Sequence, residues 1–151
     1  MPADTTSPAL AAEGTLLQVD IGGGSAPVWT TIANVGDITG PAYTSTEVDV
    51  TSHSSQAPFR RRIITLLDIG PVSFKCFWVP QNPTHSSTVV GAIRWAYENR
   101  IKQVYRLLYT DGVSFDEFNA YVKDLNSTAA VAGVYEMKVT LSATDYPLNM
   151  A

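Results

Sequence analysis

The feature that most restricts the fold is an alternation near the C-terminus. Tyr135, Met137, Val139, Leu141 and Ala143 interleave with Glu136, Lys138, Thr140 and Ser142, a period of two that an extended strand with one buried face satisfies and a helix does not. A lone strand is not stable, so the rest of the chain must supply partners for it. From Thr15, Leu17, Val19 and Ile21 alternate in the same way with Leu16, Gln18 and Asp20. Gly22-Gly23-Gly24-Ser25 then breaks the run, and Val28 to Ala33 reads as a second strand joined to the first by a hairpin. That glycine run lacks the following Gly-Lys-Ser/Thr of a phosphate-binding loop.

Gly36, Gly40 and Pro41 punctuate the next stretch, after which Val48 and Val50 face one way and Glu47, Asp49 and Thr51 the other. Ser52 to Pro58 is polar and reads as a loop. The stretch from Glu47 to Pro80 is expected to have its two ends in the core and its middle on the surface. Apolar character resumes at Ile63 to Leu67 and turns at Asp68-Ile69-Gly70-Pro71. Val72, Phe74, Cys76 and Trp78 then share one face while Phe77 and Val79 share the other, which predicts a strand whose end is buried on both sides. Val104 to Tyr109 and Ser114 to Lys123 flank Thr110-Asp111-Gly112, a strong hairpin signal. The phase between Phe115 and Phe118 predicts a bulge near Asp116-Glu117. Asn126 to Gly133 reads as a loop of small residues. Only one helix is expected. It carries Val89, Val90, Ile93, Ala96 and Tyr97 on one face and Trp95 opposite, with Ser86 or Ser87 as its cap.

About seven strands and one helix predict an all-β fold, a β-sandwich or flattened β-barrel with a flanking helix. The expected division is a flexible arm over residues 1–13, one domain over 14–147 and a short tail over 148–151. At 151 residues the chain can bury a core without staples. A single cysteine, Cys76, excludes an internal disulfide, and with His53 and His85 it cannot complete a structural zinc site. The first dozen residues lack a signal-peptide pattern, and no run reaches the ~18 apolar residues of a membrane-spanning helix. Neither membrane insertion nor a cofactor is expected.

Catalytic constellations are equally absent from the pattern. Cys76 occupies a core-facing strand position, His53 sits among serines, His85 reads as a capping or packing residue, and adjacent Asp116 and Glu117 point to opposite faces. Charged residues make up only 16% of the chain, below the roughly 25% usual for a soluble domain, which suits a protein that covers its surface with partners. Residues 1–59 carry six acids and no lysine or arginine, whereas residues 60–151 carry eight acids and ten bases, a split of −6 against +2. Two readings of that split stand: a polarised subunit suited to head-to-tail contacts, or halves that interleave so that the asymmetry averages out.

Several short motifs resemble the tail tube proteins of long-tailed, non-contractile bacteriophages. They are Val48-Asp49-Val50-Thr51-Ser52-His53, Phe59-Arg60-Arg61, Leu67-Asp68-Ile69-Gly70-Pro71-Val72-Ser73-Phe74 with Pro80, Tyr109-Thr110-Asp111-Gly112, and the closing strand from Gly133 to Ala143. The resemblance spans about Gly14 to Pro147. It departs from the family's pattern at Thr65, near which relatives often carry a glycine, and at Arg62, near which they often carry an acid. Some relatives have a further immunoglobulin-like domain, and here only the tube domain is expected.

The resemblance implies a structural virion protein, with six subunits per ring and rings stacked into a hollow conduit for the phage genome. Assembly would take place in the host cytoplasm. The implied partners are further copies of the chain, the tail tip, tape-measure and terminator proteins, and double-stranded DNA that passes without being held. Thr51, Ser52, His53, Phe59, Arg60, Arg61, Arg62 and Trp95 are then expected at subunit contacts, and Gln18, Asp20, Glu136 and Thr140 on the lumen wall. The arm and the Ser52–Arg62 loop would become ordered on docking. The alternatives are a type VI secretion-like tube or carrier, and a small-ligand-binding β-barrel.

Overall fold

The computed structural model describes residues 10–22, 26–53 and 59–149. Most of the N-terminal arm, part of the glycine run and most of the Ser52–Pro58 loop lie outside them. Among the described residues nine strands and one helix follow in order: β1 Leu16–Asp20, β2 Trp29–Thr31, β3 Val35–Thr39, β4 Tyr43–Asp49, β5 Arg62–Ile69, β6 Val72–Phe77, α1 Ile93–Asn99, β7 Gln103–Leu108, β8 Phe115–Ala129 and β9 Tyr135–Asn149. Seven strands form one sheet in the order β2-β1-β7-β8-β9-β6-β3, and β4 with β5 forms a separate pair. Every pairing is antiparallel.

The strand order requires the sheet to curl. Its two edge strands, β2 and β3, are joined by Ile32, Ala33 and Asn34 alone. That link spans at most about 14 Å, whereas a flat sheet of this width would hold its edges about 29 Å apart. The sheet therefore rolls on itself as a flattened barrel, and the inward phase of each strand fills it. Leu17 and Val19 of β1, Tyr105 and Leu107 of β7, Phe118, Ala120 and Val122 of β8, Met137, Val139 and Leu141 of β9, and Val72, Phe74 and Cys76 of β6 make the core. The alternation is realised from Met137 to Leu141, whereas Tyr135 is exposed, and the strand itself continues to Asn149. The first half of the expected loop at 126–133 is strand, because Asn126 to Ala129 pair with Lys138 to Tyr135, and only 130–133 form the turn.

Helix α1 closes the rolled sheet by burying Ile93 and Ala96. It is shorter than the pattern predicts. Gly91 adopts φ +91° and its Cα lies so close to Ile21 that a side chain would collide, so Val89 and Val90 precede the helix and stay exposed. Ala92 is the N-cap without a side-chain bond. The first helical N–H groups instead donate to the carbonyls of Thr84, His85 and Ser86, which meets the need that Ser86 or Ser87 was expected to meet.

One expectation about strand faces is overturned, and the bulge expected near Asp116-Glu117 is found on the β9 side of β8. Phe77 and Val79 are exposed, so only one side of β6 is buried. No bulge separates Phe115 from Phe118 in the β7–β8 ladder. Phe115 simply points outward, and Asp116 takes the inward position between them. The bulges of β8 occur instead against β9, at Glu117/Asn119 and Val122/Asp124.

Candidate assembly surface

The β4–β5 ribbon is the feature that the rest of the fold leaves uncovered. It continues an existing ladder: Thr39 faces Ser73 in β3–β6, and four residues along each strand Tyr43 faces Ile69 in β4–β5. Register is unbroken, but Pro41 and Pro71 have no N–H to give the ladder, and with Gly40 and Gly70 they make the point where the pair leaves the sheet. Beyond that hinge every residue from Tyr43 to Asp68 in the two strands is exposed, and only Ile69 at the base is buried.

The Glu47 end of the Glu47–Pro80 stretch is therefore not in the core, where both its ends were expected, and Ile63 to Leu67 are exposed with it. Apolar side chains stand on both faces of the ribbon: Val48 faces Ile63, Glu47 faces Ile64, and beyond a register shift Ser45 faces Leu67, which is 82% exposed. Arg62 donates to Glu47 at 2.8 Å, and Arg60 lies 4.0 Å from Asp49. Thr51, whose hydroxyl and N–H lie beside Asp49, holds that carboxyl below the usual range. Across this ribbon the acids of the first half of the chain meet the arginines of the second. The −6/+2 split thus averages out within the subunit, as it does where β1 lies beside β7 and β3 beside β6.

Of the residues expected at subunit contacts, Thr51, Ser52, His53, Phe59, Arg60, Arg61 and Arg62 gather at the ribbon's far end, all exposed. The backbone ladder extends there through Val50 N–H to the Arg61 carbonyl, and the Arg61 N–H donates to the Thr51 hydroxyl. Trp95 is elsewhere, half-buried against the core at the helix margin.

The base of the ribbon is tied down by a carboxylate that the sequence reading named without giving it this role. Asp116 is buried, and its carboxylate accepts hydroxyl bonds from Tyr43 at 3.2 Å and Tyr109 at 2.5 Å. Partial burial, then the adjacent carboxylate, pushes the Tyr43 hydroxyl up to about 12; for Tyr109 the hydrogen bond leads and the value is also about 12. Tyr43 is 42% exposed overall, so it is the hydroxyl end, turned toward Asp116, that is desolvated. Reading β8 in phase with Ala120 and Val122 would have placed Asp116 inward.

The four residues expected on the lumen wall all face away from the core. Gln18 accepts both Arg106 guanidinium bonds and donates to the Thr31 hydroxyl, while Arg106 lies over Trp29 and Phe115. The Asp20 carboxylate accepts the N–H groups of Gly22 and Val28 and closes the β1–β2 connection. Glu136 pairs with Lys75 at 3.0 Å, and Thr140 sits opposite Ser73. The cations Lys75 and Arg106 on this face are thus engaged by neighbours.

His85 and Cys76 serve packing. His85 is buried, stacks on Trp78 at 4.7 Å, accepts the Val79 N–H at Nδ1 and donates from Nε2 to the Ala33 carbonyl. Burial pushes the Cys76 thiol up to about 11, the opposite of what a nucleophile needs.

This rolled sheet with one helix and a projecting ribbon is the fold of tail tube subunits. The chain is similar to the tail subunit of a gene transfer agent particle with C6 symmetry (TM-score 0.72, 14% identity, 95% of this chain and 100% of that one). It is similar also to the SPP1 tail tube (0.64, 11%, covering 89% and 76%) and to the sheath/tube terminator of an extracellular contractile injection system (0.64, 11%, covering 96% and 99%). By sequence, no protein-family model and no curated protein matches the chain.

Proposed function

We propose that the protein is the structural subunit of a phage-type tail tube, and that six copies form a ring whose stacks make a hollow conduit for DNA in a virion tail. It has no chemistry of its own. The observation that carries this reading is the β4–β5 ribbon. An isolated two-stranded ribbon is at best marginally stable in water, yet this one displays Ile63, Ile64, Leu66 and Leu67 to solvent. Burying one such side chain is worth about 1.5–3 kcal/mol, which a neighbouring subunit would supply. Tail tip, tape-measure and terminator proteins would start and stop the stack, which would be built in the host cytoplasm. Thr51 to His53 and Phe59 to Arg62 reach the neighbour with the ribbon's far end, Trp95 flanks a contact at the helix margin, and Gln18, Asp20, Glu136 and Thr140 line the bore.

Negative-stain electron microscopy of the concentrated protein is expected to reveal rings and hollow tubes. Leu67→Asp is expected to keep the subunit folded and abolish tubes; tubes of normal length from that variant would sink the assignment of the ribbon. Likeness to an injection-system component supports a second reading, the tube of such a system. Isolation of native tubes within DNA-filled particles would decide for the phage-type tail.

A further inference from the structure

The rolled sheet is not closed beside the start of β1. Strand β2 covers β1 only from Gln18 to Asp20, and β3 ends the sheet on its other side. Among the described residues no strand stands between β3 and the segment that leads into β1, and a cleft of about 940 Å³ occupies the gap. Val35 and Ile38 of β3 line one side, Leu10, Ala11 and Ala12 the other, and the buried Leu107 lies between them. The second side is pinned in place: the Thr110 hydroxyl donates to the Ala11 carbonyl at 2.9 Å, and the Thr15 hydroxyl and N–H both donate to the Ala12 carbonyl. Glu13 and Asp37 stand exposed on the rim. Neither makes an ion pair among the described residues, and no described cation lines the cleft.

We propose that this cleft is a docking groove for an extended segment of a different protein, one that alternates apolar residues with lysine or arginine and adds itself as a strand to the free edge of β3. Strand β3 offers five residues, roughly 17 Å of backbone, whose N–H and C=O groups on that edge meet no other strand among the described residues. A strand laid there satisfies them, and every second side chain enters a pocket beside it. A compact small molecule would fill the same volume and leave the backbone edge unpaired. Charge selects the occupant. An acid on an edge strand repels uncharged or acidic strands that would otherwise pair with it, whereas a lysine or arginine in the outward phase of the incoming strand meets Glu13 and Asp37. The same two carboxylates oppose phosphate, so nucleic acid does not suit the groove. A copy of the chain's own arginine cluster is a poorer match, because Arg60 and Arg62 already lie beside Asp49 and Glu47.

The test uses the dilute, unassembled subunit and so stands apart from the tube reading. Its probes are two short synthetic peptides of alternating sequence, one of valine and lysine, the other of valine and glutamate. In backbone NMR spectra the valine–lysine peptide is expected to shift the amides of residues 10–15 and 35–39 and to slow hydrogen exchange on the free edge of β3, an effect that salt weakens. The valine–glutamate peptide is expected to leave those amides unchanged. The double variant Glu13→Lys/Asp37→Lys alters two exposed positions and is expected to keep the circular dichroism of the unaltered protein. It is expected to bind the valine–lysine peptide about tenfold more weakly or worse, and to gain binding of the valine–glutamate peptide. Equal binding of the two peptides, no shift with the valine–lysine peptide, or shifts confined to other regions would overturn the proposal. So would a free edge of β3 already protected without peptide. Protection lost on deleting residues 1–9 would assign the groove to the chain's own N-terminus, and protection that rises with protein concentration would assign it to a second copy.

Discussion

Asp116 shows how a single buried carboxylate can govern the position of an exposed element. Two tyrosine hydroxyls converge on it, one from the ribbon base and one from the end of β7, and hydrogen bonds to an ionised partner are worth about 1.5–3 kcal/mol each. Their raised pKa fixes the sign of an alkaline response. A hydroxyl whose folded value is about 12 against an ordinary value near 10 stabilises the fold fully below pH ~10, and that contribution disappears as pH rises through about 12. Urea unfolding of the free subunit is therefore expected to be independent of these groups from pH 7 to 9.5 and to weaken from pH 10 to 12. Tyr109→Phe is expected to lower stability by about 1–2 kcal/mol at pH 7 and to flatten the alkaline limb. An unchanged limb in that variant would remove the tyrosine pair as its cause.

At the scale of elements, the hinge decides where the ribbon points. Gly40 holds φ +100°, and a side chain there would come within 2.8 Å of the Pro71 carbonyl oxygen across the ladder. Gly40→Ala is expected to cost about 2 kcal/mol through backbone strain and this collision, a fall in Tm of roughly 4–8 °C for a chain of this size, and to shorten or abolish tubes. Differential scanning calorimetry with electron microscopy checks both effects; a stable variant that builds normal tubes would show that the hinge tolerates another path. The core strands were legible because one buried face imposes a period of two, and β1, β6, β7 and β9 obey it. The ribbon was legible as strands but not as an exposed element. A run such as Ile63 to Leu67 has the same composition whether its partner is the core or another copy of the chain, and only topology tells the two apart. The helix start was misplaced because Val89 and Val90 fit the helical stripe, while the collision that breaks it involves Ile21, seventy residues earlier in the chain.

For the whole molecule, a sheet face that lines the proposed conduit would have to be polar enough for water and yet unable to hold DNA. Each phosphate contact steepens the salt dependence of binding by about 0.9 in log–log slope, and a stacked tube multiplies any contact by the number of subunits along its length. Charge pairing eases the conflict: on the face that carries Gln18, Asp20, Glu136 and Thr140, Arg106 is spent on Gln18 and two aromatic rings and Lys75 on Glu136, while Lys138 stands exposed between Glu136 and Thr140. If this face lines the bore, adding cations to it converts a conduit into a trap. Tubes built from Glu136→Lys/Thr140→Lys subunits, which also frees Lys75, are expected to retain short duplex DNA at 50 mM salt on co-sedimentation and to release most of it by 200 mM. Unaltered tubes are expected to retain little at either concentration. Equal retention by both would place this face on the outside of the tube and leave the bore to be sought on the opposite side of the subunit.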